Sequence, residues 1–165
     1  MANKTDQLPG ILTESEYNII KHVIAYAGLV FATLGTVTNY FNIKTFIKLG
    51  LKDGVAISFL TLSIADMINS IISICVSVSM IFVIVELIHG ERYTYDPLML
   101  AKFFVNAGVG MYTVTILQTL YLALTRCICV AMPMKFKDIF TRRKAIWSFV
   151  IFNIFSIGIY IPIFF

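Results

Sequence analysis

The sequence predicts an all-α membrane protein with four transmembrane helices, and three observations lead to that fold class. Hydrophobic residues make up 59% of the chain and charged residues only 13%, about half of the charged share of a typical soluble domain. Four long segments are nearly free of charge, and each reaches the roughly 20 residues that a helix needs to cross a bilayer. Their apolar residues lack the alternation of period two that marks a membrane β-barrel.

The four segments give the order of the elements. We expect helices at about residues 20–48, 54–88, 97–131 and 142–165, joined by short polar connections. Asp96 followed by Pro97 predicts the start of the third helix, because aspartate favours the N-cap and proline the first helical position. Residues 1–18 form a polar tail that is not a signal peptide, and residues 19–165 form one membrane domain.

The basic residues are distributed unequally between the two ends of the helices. Nine lysines and arginines flank the ends that carry the first and third connections, and four flank the opposite ends. Short loops rich in lysine and arginine stay in the cytoplasm. Asn3-Lys4-Thr5 is a glycosylation sequon, which is modified only on the outer side. Both observations predict a plasma-membrane protein whose N-terminus is extracellular and glycosylated at Asn3.

Several functional classes have no support in the sequence. No block of lysine and arginine is interleaved with aromatic residues, so nucleic-acid binding is not expected. The three cysteines, Cys75, Cys127 and Cys129, lie outside the predicted outer loops, so no disulfide framework is indicated. No metal-binding motif is present, and no nucleophile is paired with a base. We therefore expect neither an enzyme nor a resident cofactor.

Asp66 lies well inside the second predicted helix. A carboxylate at that depth costs at least ~2.5–3.5 kcal/mol, so it should face the bundle interior or a water-filled cavity. One interpretation is a cation or proton site, and the other is a neutral aspartate hydrogen-bonded to a neighbouring helix. Asn39 lies at a similar depth in the first helix and is a candidate partner. Such buried amides commonly connect helices through hydrogen bonds.

Short motifs follow one another in a fixed order along the four helices. The first helix carries Gly35-Thr-Val-Thr-Asn39, and the second carries Leu62-Ser-Ile-Ala-Asp66. The third ends in Thr125-Arg126-Cys127, Pro133 follows the arginine by seven residues, and the fourth carries Pro162 near its end. In order and spacing these motifs resemble those of a rhodopsin-like (class A) G-protein-coupled receptor.

Two longer strings narrow the resemblance. The segments Lys52–Asp66 and Arg126–Thr141 are similar to gastropod chemosensory receptors of that class. The resemblance covers most of residues 19–165 and only the first four helices of a seven-helix bundle. It therefore implies that the chain is the N-terminal fragment of a receptor, and that the full-length protein binds an extracellular, chemosensory ligand and activates a heterotrimeric G protein.

The resemblance also implies roles for particular residues. Asp66 would be the carboxylate of an allosteric sodium site, with Asn39 nearby and Thr115 contributing a hydroxyl. Arg126 would be the activation arginine, restrained in the inactive state and released toward the G protein. The basic loop between residues 135 and 144 would contact the G protein or anionic membrane lipids.

The ligand is expected to enter among the outer parts of the second and third helices. Val105, Gly108, Val109 and Tyr112 share a helical spacing that suits a pocket lining, although ordinary helix packing explains the same spacing. Gly108 stands where amine receptors keep an aspartate, which disfavours a biogenic amine as the ligand.

Three departures from the family pattern bear on the mechanism. Thr125 replaces the acidic residue before the arginine, so no adjacent carboxylate can restrain Arg126. Cys127 replaces the tyrosine of the triplet. Ala101 stands near the position of the usual cysteine, which gives no support to the common loop disulfide.

Two other functional classes fit four apolar helices. One is a complete four-helix membrane organiser or junction protein, although such proteins usually carry cysteines in their outer loops. The other is part of an ion-coupled transporter with Asp66 as a relay, although no broken helix pair or inverted repeat supports it.

Overall fold

The computed structural model describes residues 14–51, 53–90, 93–132 and 140–164. These residues form four α-helices and no strand: α1 (Glu14–Leu49), α2 (Gly54–His89), α3 (Pro97–Ala131) and α4 (Arg142–Phe164). The prediction of an all-helical chain with four helices is confirmed. The sequon at Asn3 lies outside the described residues.

Three of the helices are long and apolar enough to cross a membrane, namely α1, α2 and α3. They contain 36, 36 and 35 residues. At 1.5 Å per residue each exceeds the ~30 Å thickness of the hydrocarbon core, so each must tilt or extend beyond it. The chain is therefore a multi-pass membrane protein. That α4, with 23 residues, also crosses the membrane stays a prediction.

The ends of the helices show why they begin and stop where they do. The Asp96 carboxylate accepts hydrogen bonds from the backbone N–H of Leu98 at 2.9 Å and of Met99 at 3.3 Å. Pro97 occupies the first turn, so the predicted start of α3 is confirmed. Helix α2 is capped at its C-terminus by Gly90, whose φ is 67°. This left-handed conformation costs glycine little free energy. Helix α1 begins at Glu14 rather than near residue 20.

Helix α2 is the centre of the bundle. It contacts all three other helices, α4 also contacts α3, and within the described residues α1 packs against α2 alone. The backbones of α1 and α3 therefore lie apart, on either side of α2. This arrangement leaves a space between them.

Small residues bring α1 and α2 close together. A Cβ atom built on Gly28 would lie 2.9 Å from the Ser77 Oγ, and one built on Gly35 would lie 2.9 Å from the Ser70 Oγ. Both distances are shorter than the van der Waals contact of a carbon with an oxygen, so a larger residue would displace the serine hydroxyl, which at Ser70 donates a hydrogen bond to the Asp66 carbonyl. Glycine at these positions allows the backbones to approach, as in other membrane helix pairs.

The two glycine contacts define one antiparallel register that continues toward the α1–α2 connection. Further along it, the rings of Phe46 and Phe59 stack with their centroids 5.7 Å apart. The same register places Asn39 of α1 at the level of Asp66 of α2. The expectation that these two residues lie at a similar depth agrees with this register.

Helix α4 is joined to α3 by two polar contacts. The Ser156 hydroxyl donates a hydrogen bond to the Gly110 carbonyl at 2.7 Å, and the Thr113 and Tyr160 hydroxyls lie 3.1 Å apart. These bonds fix the outer half of α4 against α3.

Candidate functional site

A cavity of about 420 Å³ lies between α1, α2 and α3, toward the end of the bundle that carries the α2–α3 connection. That end is predicted to be extracellular, and we call it the outer end. The volume falls within the ~300–1,000 Å³ that is usual for small-molecule sites. The lining consists of Ile24, Ala25, Gly28, Asn69, Ile72, Ser73, Val76, Ser77, Met80, Phe104, Val105, Gly108, Val109 and Tyr112.

All four residues predicted to line a pocket, Val105, Gly108, Val109 and Tyr112, belong to this lining. Their role in binding a ligand stays a prediction. Sequence reasoning did not find the contribution of α1, whose Gly28 forms part of the wall. The position of Gly28 in the sequence does not show which helix it faces.

The cavity lining carries no lysine, arginine, histidine or acidic residue. Its polar side chains are those of Asn69, Ser73, Ser77 and Tyr112. The Ser73 hydroxyl already donates a hydrogen bond to the Asn69 backbone carbonyl at 2.9 Å. Within the described part of the chain, the Asn69 carboxamide itself makes no hydrogen bond, so its donors and its acceptor are available.

A smaller cavity of about 290 Å³ lies beside the first, closer to the outer end, and shares Met80 and Val105 with it. Lys102 lines this second cavity, with an exposed side chain.

Aromatic rings hold the α2–α3 connection over the outer end. The Phe82 ring meets the Tyr93 ring edge to face at 5.5 Å, and Tyr93 stacks on Tyr95 at 5.7 Å. Ala101 is buried, in the region where the family disulfide would be anchored. These ring contacts position the described part of the connection, residues 93–96, against α2.

Two residues of the predicted sodium site, Asp66 and Thr115, lie next to each other. The half-buried Asp66 carboxylate faces the Thr115 hydroxyl, but the geometry falls short of a hydrogen bond, and the Thr115 Oγ1 is buried without a partner. Asn39 is half-buried, and its side chain makes no hydrogen bond within the described residues. A carboxylate and an unsatisfied hydroxyl oxygen are donors that suit a hard cation. The sodium site stays a prediction.

Gln118, one turn further along α3, is a site residue that sequence reasoning missed. It is fully buried, and its Nε2 donates hydrogen bonds to the Thr61 Oγ1 at 2.9 Å and to the Ser58 carbonyl at 3.4 Å. Its Oε1 is buried without a partner. The signal was present in the sequence, because an amide inside an uncharged span needs a partner on another helix.

Arg126 lies at the opposite, inner end of α3. Its guanidinium carbon is 5.2 Å from the centre of the Phe59 ring, within the range of a cation–π interaction. The neighbouring Thr125 is buried and donates its hydroxyl to the Tyr121 carbonyl at 2.7 Å, whereas Cys127 is exposed. No motif indicated Phe59, because its contact with Arg126 depends on how α2 packs against α3.

The inner end of the bundle carries exposed basic residues. Lys44, Lys48, Arg142 and Arg143 are exposed. Residues 133–139 of the predicted basic loop lie outside the described residues, so the structure places only its C-terminal part. Within the described residues, no group of three or more histidine, cysteine or acidic residues could hold a metal ion.

Comparison with known proteins gives a family. The family model described as serpentine type 7TM GPCR chemoreceptor Srx matches residues 28–165, which include most of α1 and all of the other helices. No curated protein matches the chain.

Proposed function

We propose, from the premise that the chain belongs to the serpentine-type 7TM GPCR chemoreceptor family Srx, that it forms the first four helices of a plasma-membrane receptor. The receptor binds an extracellular chemical ligand in the cavity at the outer end and activates a heterotrimeric G protein at the inner end. The family is a receptor family, which disfavours an enzyme, a four-helix organiser and a transporter.

The observation that supports this function best is the placement of two sites on one helix. Helix α3 lines the cavity with residues from Phe104 to Tyr112 and presents Arg126 near its other end. A ligand that shifts α3 against α2 would therefore change the surroundings of Arg126. Shifts of packed helices by about 1–2 Å are a known means of transmission between sites.

In this proposal Arg126 is the activation switch and Phe59 restrains it. Thr125 has no charge and uses its hydroxyl within its own helix, so it does not replace the missing carboxylate. The Phe59 ring, which contacts the Arg126 guanidinium, would restrain the arginine in place of that carboxylate. An exposed cation–π contact contributes about 0.5–1 kcal/mol. Such a weak restraint predicts a receptor with measurable activity in the absence of ligand.

Asp66 and Thr115 are the residues that would hold an allosteric sodium ion, with Asn39 at the same level. The ion would supply a positive charge to the Asp66 carboxylate and so connect α2 to α3. A bound ion would favour the packing in which both residues reach it and would oppose a shift of α3.

The motifs favour activation of the class A type, although the likeness to gastropod receptors has no further support. The N-terminus is proposed to be extracellular, with glycosylation at Asn3.

Arg142 and Arg143 stand in the first turn of α4, where the helix dipole disfavours cations. Anionic lipid head groups would offset that cost on the cytoplasmic side.

The test uses the natural full-length receptor in membranes with a purified heterotrimeric G protein, and measures nucleotide exchange without added ligand. We expect Arg126→Ala to lower receptor-stimulated exchange at least about tenfold, a coupling of roughly 1.4 kcal/mol. The matched control Arg142→Ala, another exposed inner arginine, should retain most of it. Equal exchange in the two variants would refute the role of Arg126.

A further inference from the structure

We infer that the cavity takes a small, uncharged and mostly apolar molecule with one hydrogen-bonding group, which Asn69 recognises. The inference deepens the proposed function, since it assumes that the cavity between α1, α2 and α3 is the ligand site. It follows from the charge, the polarity and the volume of the lining.

The walls that α1, α2 and α3 contribute to the cavity disfavour an ionic ligand. Neither a cationic nor an acidic side chain of these helices lines the main cavity, so an ammonium or carboxylate ligand would find no counter-ion on them. Burial of an unpaired ion is far more costly than burial of a neutral polar group. Lys102 does not remove this cost, because it is exposed and lines the neighbouring cavity.

Among the polar side chains of the lining, Asn69 offers the most hydrogen-bonding groups, whereas Tyr112 is exposed. Asn69 is the innermost residue that α2 contributes to the lining. Its carboxamide offers two donors and one acceptor. The Ser73 hydroxyl is already bonded to the backbone, and the Ser77 Oγ packs against Gly28. A hydroxyl, carbonyl or ester oxygen on the ligand would therefore meet the Asn69 amide, while the rest of the molecule contacts apolar side chains.

The volume of the cavity sets the size class. About 420 Å³ lies in the lower half of the range for small-molecule sites. Gly108 contributes to this space, because a Cβ atom at that position would already lie 3.4 Å from the Ile72 Cγ2. A compact ligand fits this volume.

The experiment measures occupancy of the cavity without relying on signalling. A cysteine is introduced by Ser73→Cys into the natural full-length receptor, in a background of Cys75→Ser, Cys127→Ser and Cys129→Ser, reconstituted in nanodiscs. Its reaction with methyl methanethiosulfonate is followed by mass spectrometry in the presence of four matched eight-carbon probes: 1-octanol, 2-octanone, octylammonium and octanoate. The half-protecting concentration of each probe is compared.

We expect the two neutral probes to protect the cysteine at concentrations at least about tenfold lower than the two charged probes. Asn69→Leu should raise the half-protecting concentration of 1-octanol about two- to tenfold, the effect of one lost hydrogen bond. Asn153→Leu is the matched control, because that amide bonds within α4, and it should leave protection unchanged.

Protection by octylammonium or octanoate at the same concentration as by 1-octanol would overturn the inference, as would a lack of protection by both neutral probes. Equal effects of Asn69→Leu and Asn153→Leu would overturn the role of Asn69. Failure of the proposed function has a different signature: the neutral probes would protect the cysteine, but Arg126→Ala would leave nucleotide exchange unchanged.

Discussion

The interfaces of α2 with α1 and with α3 differ in chemistry. Toward α1, α2 presents Ser70 and Ser77 to glycines at a distance that leaves no room for a Cβ atom. Toward α3, it meets buried polar side chains, and two buried oxygens at this interface, the Thr115 Oγ1 and the Gln118 Oε1, have no hydrogen-bond partner.

This difference separates a fixed interface from an adjustable one. Closely packed small residues tolerate added volume poorly, because the serine hydroxyls would have to move to admit it. Buried polar groups that lack partners leave the interface less than fully satisfied, so another arrangement of α2 and α3 would cost comparatively little. The candidate ligand cavity, the candidate sodium site and the Arg126 contact all involve α2 together with α3. We therefore expect the α1–α2 interface to determine the stability of the fold and the α2–α3 interface to determine signalling.

The largest expected effect on stability is at the α1–α2 interface. Gly35→Val should lower the free energy of unfolding by about 1–3 kcal/mol, because the added methyl groups overpack the contact with Ser70. Thermal unfolding in detergent measures the change. Gly158→Val is the control, since nothing lies within 4 Å of a Cβ atom built at Gly158. Similar losses of stability in both variants would show that the close packing of α1 on α2 does not determine the free energy of unfolding.

An effect of intermediate size is expected at the candidate sodium site. If the site binds sodium, a concentration ten times the dissociation constant should stabilise the receptor by about 1.4 kcal/mol. Asp66→Asn should abolish this stabilisation, and Thr115→Val should reduce it. The measurement compares thermal unfolding in sodium chloride and in choline chloride at equal ionic strength. A sodium effect that persists in Asp66→Asn would rule out this site.

A smaller effect is expected where Phe59 contacts Arg126. Phe59→Leu removes the aromatic ring and keeps an apolar side chain. We expect basal nucleotide exchange to rise about two- to fivefold, which corresponds to the loss of about 0.5–1 kcal/mol. Phe59→Tyr retains a ring and should remain close to the wild type. If both variants raised exchange equally, the ring could not be the restraint.

The smallest effect on stability is expected at Gln118. Gln118→Leu removes two hydrogen bonds, which in membrane helices average about 0.6 kcal/mol each, but it also removes the unpartnered Oε1. The two changes offset each other, so the free energy of unfolding should change by less than about 1 kcal/mol. A loss as large as that of Gly35→Val would contradict the separation of the two interfaces.

The sequence predicted those parts of the fold that depend on local chemistry. Long uncharged segments predict helices because lipid offers no hydrogen bonds to the backbone, and the Asp96–Pro97 pair predicted the start of α3. The depth of Asp66 followed from its position inside an uncharged segment, and its proximity to Thr115 came from the resemblance to a known family. The four α3 residues of the cavity came from helical spacing.

Other parts of the site depend on how the helices pack and were not accessible from the sequence. The contact of Phe59 with Arg126 joins two helices, and their register cannot be deduced from either one alone. The same holds for the wall that Gly28 adds to the cavity. Gln118 was detectable as a buried amide, but its partner Thr61 was not.

One measurement tests the separation of the two interfaces most directly. Gly35→Cys with Ser70→Cys is designed to place a disulfide between α1 and α2, where the two Cβ positions would lie 3.6 Å apart, a separation that suits a disulfide. Ile72→Cys with Gly108→Cys is designed to place one between α2 and α3, where the Ile72 Cγ2 lies 3.4 Å from the Gly108 Cβ position. Nucleotide exchange by the full-length receptor is compared before and after reduction. The α1–α2 disulfide should leave exchange unchanged, and the α2–α3 disulfide should suppress it until reduced. Equal suppression by both, or suppression by the α1–α2 disulfide alone, would contradict this account.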